Sequence, residues 1–363
     1  MRGMNTAEDA LIDVVPLGTA PVPERGRVEA LAGGRLVVRA PGLVEVHDRE
    51  DFLAGRAAGA RAALLTREPE RAVPTPDGGF VVAGVSSVRA LDADGGTRWE
   101  LAHDRWHGAD RAHSVPAVSP DGRLVSVVVP RLEPEKEKAA LVYDLEPGRN
   151  YTWDELLLLD AATGAVLGRR QIRSLASAAV ACWGPDGDAV VVSCWTAWQS
   201  WSTWWAEPRA DGPHLVGATW MHALAGFLPG GRMLTQRYAE YLFPDDDRDE
   251  LAVYDLRSGE QAALVDLREL AVDPENDEFL SAEVLDGRHV LVPGRVHPAA
   301  GVAELRHWLL DAETLRPLGR VNYPVPVGED VTALGDGTWL TRDGDRLHRW
   351  ALGHTGSGGV DAR

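Results

Sequence analysis

A two-residue turn doublet recurs seven times along the chain, each time between a short alternating run and an apolar one. It appears as Gly33-Gly34, Asp77-Gly78, Asp121-Gly122, Asp186-Gly187, Gly230-Gly231, Asp286-Gly287 and Asp336-Gly337. The second residues are separated by 44, 44, 65, 44, 56 and 50 positions. Three equal steps in one chain mark a structural repeat, and a repeat of this length is a single supersecondary unit. An apolar run follows each doublet: RLVVR at 35–39, FVVA at 80–83, RLVSVVV at 123–129, AVVVS at 189–193, RMLT at 232–235, RHVLV at 288–292 and TWLT at 338–341. Asp-Gly between two such runs signals a tight hairpin and predicts positive φ at both central positions.

A second feature closes the apolar runs. It reads VRALDADG at 88–95, LLLLDAATG at 156–164, LAVYDLRSG at 251–259 and WLLDAETL at 308–315. An Asp at a strand end accepts hydrogen bonds from backbone two residues on, and Gly supplies a left-handed position. Another short strand then begins, so each unit holds four antiparallel strands joined as a meander. Seven such units predict an all-β, seven-bladed β-propeller of four-stranded antiparallel blades. With these turns and spacings the chain resembles the WD40-like and quinoprotein-like bacterial β-propellers over nearly its whole length. The Gly-His and Trp-Asp signatures of WD40 repeats and the Trp spacing of quinone-cofactor enzymes are missing. The resemblance therefore implies the fold and carries over no catalytic residue and no cofactor.

The seventh unit is one strand short. Past residues 346–352 the chain becomes Gly353-His-Thr-Gly-Ser-Gly-Gly, flexible by composition. The run LIDVVPL at 11–17 is the candidate for the missing outer strand, where Pro16 is tolerated on a free edge. One domain over 1–352, closed by the N-terminal strand, and a flexible tail over 353–363 follow.

In such a meander the short turns share one face. The long, dissimilar connections share the other: 130–155, 196–203, 239–250 and 295–304, with the interblade segments 102–113 and 268–278. Long loops on a rigid scaffold are the usual place for binding. Seven of the 13 tryptophans fall between Trp183 and Trp220. Trp195, Trp198, Trp201 and Trp204 are spaced by three, while Trp198, Trp201 and Trp205 would share one face of a helical turn. Trp combines a large apolar face with one donor and suits a wet rim. Trp106, Trp153, Tyr238, Tyr241 and Asp245 fall in neighbouring long connections, and aromatics beside carboxylates favour a cationic guest. These ten residues form the candidate ligand-binding set.

Two cysteines exclude a disulfide framework and a four-cysteine zinc site. The hairpin at Asp186-Gly187 sets Cys194 opposite a residue near Ala179, away from Cys182. His103, His107 and His113 share one segment without the Glu of a metalloprotease motif. Asp245, Asp247 and Asp249 alternate like a calcium loop, but Glu250 replaces the required Gly and Leu256 the required Glu. Residues 92–99 approximate one sialidase Asp-box with displaced spacing. No nucleophile elbow or phosphate loop is present. No catalytic residue, metal site or cofactor is expected. The formal net charge of −18 argues against a nucleic-acid partner. No apolar run approaches the ~20 residues of a membrane span, and the N-terminus lacks a signal-peptide hydrophobic stretch. A cytoplasmic monomer is expected, acting as a non-catalytic scaffold for a protein, peptide or small cationic or aromatic ligand. The competing reading is an enzyme of specialised metabolism, with a deep funnel or Trp-lined pocket holding converging His, Asp or Glu.

Overall fold

The apolar run after each doublet becomes the second strand of an antiparallel sheet and is buried on both faces. A computed structural model describes residues 10–22, 26–31, 34–64, 70–106, 114–134, 149–172, 174, 176–196, 201–237, 249–271, 277–297 and 303–353. After the N-terminal strand β1 (Leu11–Pro21), the first sheet holds β2 (Arg27–Leu31), β3 (Arg35–Ala40), β4 (Leu43–Asp48) and β5 (Ala60–Ala63). The second holds β6 (Arg71–Pro74), β7 (Phe80–Ala83), β8 (Ser87–Leu91) and β9 (Thr97–Ala102). A two-residue strand, β10 (Ser114–Val115), precedes the third sheet: β11 (Ala117–Val118), β12 (Leu124–Pro134), β13 (Arg149–Asp160) and β14 (Val166–Ile172). The fourth holds β15 (Ala176–Trp183), β16 (Val190–Thr196), β17 (Trp201–Arg209) and β18 (Gly212–Trp220), with β10 parallel to β15. The fifth holds β19 (His222–Leu228), β20 (Arg232–Arg237), β21 (Glu250–Asp255) and β22 (Gln261–Asp266).

The remaining strands form one nine-stranded sheet. In it β23 (Glu278–Phe279) and β24 (Glu283–Val284) both pair with β25 (His289–Val296), followed by β26 (Glu304–Asp311) and β27 (Pro317–Asn322). The other half is β28 (Val331–Ala333), β29 (Thr338–Asp343) and β30 (Arg346–Leu352). β1 joins the halves: Leu11–Asp13 run parallel to β27, and residues 14–21 run antiparallel to β30.

The core is divided among the gaps between sheets. Val37, Val44 and Val46 meet Phe80 and Val82 between the first and second. Val128, Leu156 and Leu158 meet Val190, Val192 and Cys194 between the third and fourth. Leu36 and Val38 of the first sheet meet Ala20, Val22, Leu340 and Leu347 of the last strand group. Indoles wedge into these gaps, as Trp99 donates to Ala161 O at 2.9 Å and Trp183 to Ala117 O at 3.3 Å.

The doublet turns differ from the expectation in one respect. Among described non-glycine residues only Met221 and Leu315 have positive φ, so the turn aspartates are not left-handed. In the Asp121-Gly122 turn the glycine alone takes φ +74°, its N–H donates to Ser119 O at 2.8 Å, and Asp121 Oδ1 accepts from Arg123 N at 3.1 Å. This is a longer loop around one left-handed glycine. Where the 308–315 repeat lacks Gly, buried Leu315 takes φ +57°, a conformation costing about 1–2 kcal/mol that its packing between the fifth and sixth sheets offsets.

Three features depart from the sequence expectation. Residues Arg49–Leu53 form a short helix, capped by Asp48 accepting from Glu50 N and Asp51 N. Thr196 and Trp201 belong to strands, so residues 197–200 alone separate β16 from β17, against the expected loop at 196–203. The 130–155 connection continues as paired strands to Pro134 and from Arg149. The tail from 354 onward lies outside the described residues.

Candidate functional site

Two short strand segments build the site at the long-connection end of the fourth sheet. The aromatic and β-branched residues Trp201, Thr203, Trp204 and Trp205 favour a strand, and β17 pairs with β16 so that Trp201 lies directly opposite Trp195. Their rings meet edge to face at 5.3 Å and 63°, and both stay partly exposed. A helical turn shared by Trp198, Trp201 and Trp205 is thereby overturned, since β17 runs through Trp201–Arg209. On a strand, a spacing of three alternates faces. Trp195 and Trp201 share the side of Trp205, which packs against Met233 and Leu256 of the fifth sheet. Trp204 points the other way, half-buried on the core between the third and fourth sheets. Trp220, paired opposite Ser202 and 56% exposed, shares that second side.

The other candidates divide plainly. Trp205 and Trp106 are each 1% exposed, so both are core residues that present no surface. Trp153 falls on β13 opposite Arg131, with its side chain outside the described set. Trp198, Tyr238, Tyr241 and Asp245 lie outside the described residues, as do His107 and His113. The structure thus brings Trp195 and Trp201 together, with Trp204 and Trp220 on the reverse side of the same sheet end.

A polar ladder holds this corner rigid. Ser193 Oγ donates to Thr203 Oγ1 at 2.7 Å, Thr203 donates to His222 O at 2.7 Å, and Leu224 N donates to Ser193 Oγ at 2.9 Å. The hydroxyl of Thr235 serves Ala252 O, so His222 Nδ1 donates to it at 3.1 Å. Burial, with Arg237 nearby, lowers His222 to about 4. Arg237 in turn faces Glu250 at 3.7 Å and the Met221 sulfur at 3.4 Å.

At the same end, between the second and third sheets, a cavity of about 440 Å³ is lined by His103, Asp104, Arg131, Glu155 and Arg169 over Leu101 and Val129. Glu155 accepts from Arg131 at 2.8 Å and Arg169 at 3.5 Å. Burial lowers His103, whose Nδ1 lies 2.7 Å from Asp104 O. Among the described residues no group of three or more His, Cys, Asp or Glu could hold a metal ion. Cys194 pairs with Ala179 across the β15–β16 ladder, as the hairpin arithmetic required. Both cysteines are free, and burial raises their thiols, Cys182 to about 11. Such thiols are poor nucleophiles.

The opposite mouth holds the larger space. A cavity of about 910 Å³ is bordered by the short turns of the first, fourth, fifth and both halves of the nine-stranded sheet. Sequence reasoning placed no candidate there.

No protein-family profile matches the chain, and no curated protein does. Solved structures do match in fold. BamB from Moraxella catarrhalis aligns at a TM-score of 0.54 and 12% identity, over 93% of this chain and 100% of BamB. This chain has a β-propeller fold. The Neurospora crassa Pan2 WD40 domain gives 0.51 and 11%, covering 93% of this chain and 95% of that one. The Cps50 (Swd1) β-propeller domain of Myceliophteria thermophila gives 0.51 and 10%, covering 94% and 98%. The resemblance to WD40-like and quinoprotein-like propellers stands at the level of fold. Among the described residues, no helix is long and apolar enough to cross a membrane.

Proposed function

We propose that this chain is a seven-bladed propeller closed by β1 as the outer strand of the last blade, and that it works as a non-catalytic docking platform for a protein partner. Closure is supported by the β1–β30 ladder and by the core that joins the last strand group to the first sheet. The docking surface is the long-connection end of the fourth sheet. The observation that carries it is the partly exposed Trp195–Trp201 pair, with Trp220 exposed on the reverse side, on a backbone fixed by the Ser193–Thr203–His222 ladder. Trp supplies much contact area for little conformational entropy and is enriched among residues that dominate binding energy.

A photoreactive side chain placed at Trp201, at Trp220 or at the exposed outer-strand residue Leu264 tests the reading in the native host. The first two positions should give the same discrete protein adduct, suppressed by excess unlabelled wild type and not by excess Trp195→Ala protein. Equal adducts from Leu264, or competition by the Trp195→Ala protein as strong as by wild type, would overturn it.

A further inference from the structure

The seven turn doublets also align the innermost strands. Counting four residues back from the second residue of each doublet gives Ala30, Pro74, Val118, Trp183, Phe227, Glu283 and Ala333. Six of the seven are apolar, as an inner strand requires. Glu283 breaks the rule. Its carboxyl borders the 910 Å³ cavity and a second one of about 430 Å³, and Ala30 and Ala333 border both with it. Small residues at these two equivalent positions leave the space that the carboxyl faces. Among the described residues its one hydrogen bond is a long one, from Ala333 N at 3.4 Å. No described Arg or His pairs with it, in contrast to Asp336, which Arg49 meets at 2.7 Å, and Asp286, which His289 meets at 3.0 Å.

A half-buried carboxylate that faces a cavity without a counter-cation is disfavoured unless it takes up a proton or meets a positive charge. The protein around Glu283 pushes its carboxyl up to about 8. Over the carboxyl the larger cavity presents Ala225, Val284, Leu228 and Leu334, a slim aliphatic wall. At its mouth stand Asp186, Asp188, Asp286 and Asp336 against Arg49 and Arg232. On the other side, Arg27, Glu29, Asp330 and Arg342 line the smaller cavity. Neither lining contains a described His or Cys, and a cavity of this size accommodates a small ligand.

We propose that the short-turn mouth of the propeller is a binding site for a primary alkylammonium group, held by Glu283, at the end opposite the tryptophan surface. The alkyl chain lies along the aliphatic wall and the ammonium replaces the missing counter-cation. Binding is proton-linked: the neutral carboxyl releases its proton to solvent as the ammonium arrives, leaving a carboxylate–ammonium pair. Affinity therefore rises from pH 6 to pH 9, below the ordinary range for amine deprotonation.

Calorimetric titration of the full chain tests this with two probes, cadaverine as a free diamine and acetyl-Gly-Lys-Gly-amide as a lysyl side chain. Saturable binding of either is expected, with heats at pH 7 that vary with buffer ionisation enthalpy because a proton is released. Cadaverine alone assigns a free amine and the peptide alone a lysyl partner, and both uphold the site. Glu283→Gln copies the neutral carboxyl, so its melting curve at pH 7 should match wild type while affinity at pH 9 falls about tenfold or more. No saturable binding of either probe to folded wild type, or undiminished affinity in folded Glu283→Gln, would overturn the proposal.

Discussion

Two aromatic regions of this molecule use the same residue types for opposite ends. Where the halves of the nine-stranded sheet meet, Trp339 and Trp350 are 0% and 1% exposed, and both indole N–H groups have partners. Trp339 donates to Tyr323 Oη at 2.9 Å and Trp350 to Thr341 Oγ1 at 2.8 Å. Because the Tyr323 oxygen accepts from Trp339, its hydroxyl proton goes to His307 Nδ1 at 2.7 Å. Rings pack edge to face around Tyr323 at 5.1 to 6.4 Å. At the end of the fourth sheet, by contrast, Trp195 and Trp201 meet edge to face and stay partly exposed, and Trp220 is largely exposed. Tryptophans sort by exposure: burial marks packing, with the donors of Trp339 and Trp350 also satisfied, and exposure on a paired strand marks recognition.

Removal of β1 strikes the packed region hardest. Val14 belongs to the Trp339–Trp350 core and Ala20 to the core of the first sheet. Deleting residues 1–21 strips both and bares the edge of β30, which invites association. Insoluble protein is expected, or a drop in thermal midpoint larger than any single substitution in that core causes. Trp339→Ala comes next, at about 3–5 kcal/mol of lost stability by urea unfolding. Tyr323→Phe keeps the ring but leaves the Trp339 donor and His307 Nδ1 unpartnered, costing about 1–3 kcal/mol.

Acid acts on both regions through a buried histidine. Burial lowers His307 to about 4 against an ordinary value near 6.5. Its folded-state value lies below the unfolded one, so its contribution is complete above about pH 6.5 and drains as pH falls toward 4. His222, beneath the tryptophan corner, behaves alike. Unfolding free energy should therefore decline between pH 6.5 and 4, and His307→Gln should flatten part of that slope. The smallest effect belongs to the exposed region: Trp220→Ala should change unfolding free energy by about 0.5 kcal/mol or less, while reducing capture of the partner in the photocrosslinking assay.

Much of the fold was legible because its signals are local. The doublets locate the second strands, and hairpin arithmetic from Asp186-Gly187 pairs Cys194 with Ala179. The left-handed Leu315 was not legible, since tertiary packing rather than residue type holds it there. Short elements such as the Asp48-capped helix and β10 escape periodicity because they hold too few residues to show a period. For the site, the clustering of tryptophans was visible, but their sorting was not. A spacing of three separates Trp201 from Trp204 only once the strand is known. Trp106 and Trp205 were indistinguishable from surface indoles in the sequence, and burial alone tells them apart. Glu283 was within reach: aligning the inner strands on the doublets isolates it as the lone charged residue at its register.

The division between packing and recognition tryptophans is tested most directly by fluorine NMR of the 5-fluorotryptophan protein, titrated with a soluble paramagnetic agent and assigned by single Trp→Phe substitutions. Resonances of Trp195, Trp201 and Trp220 should broaden strongly, while those of Trp106, Trp205, Trp339 and Trp350 stay sharp. Equal protection of all seven indoles, or broadening of Trp339 and Trp350 before Trp201 and Trp220, would contradict the account.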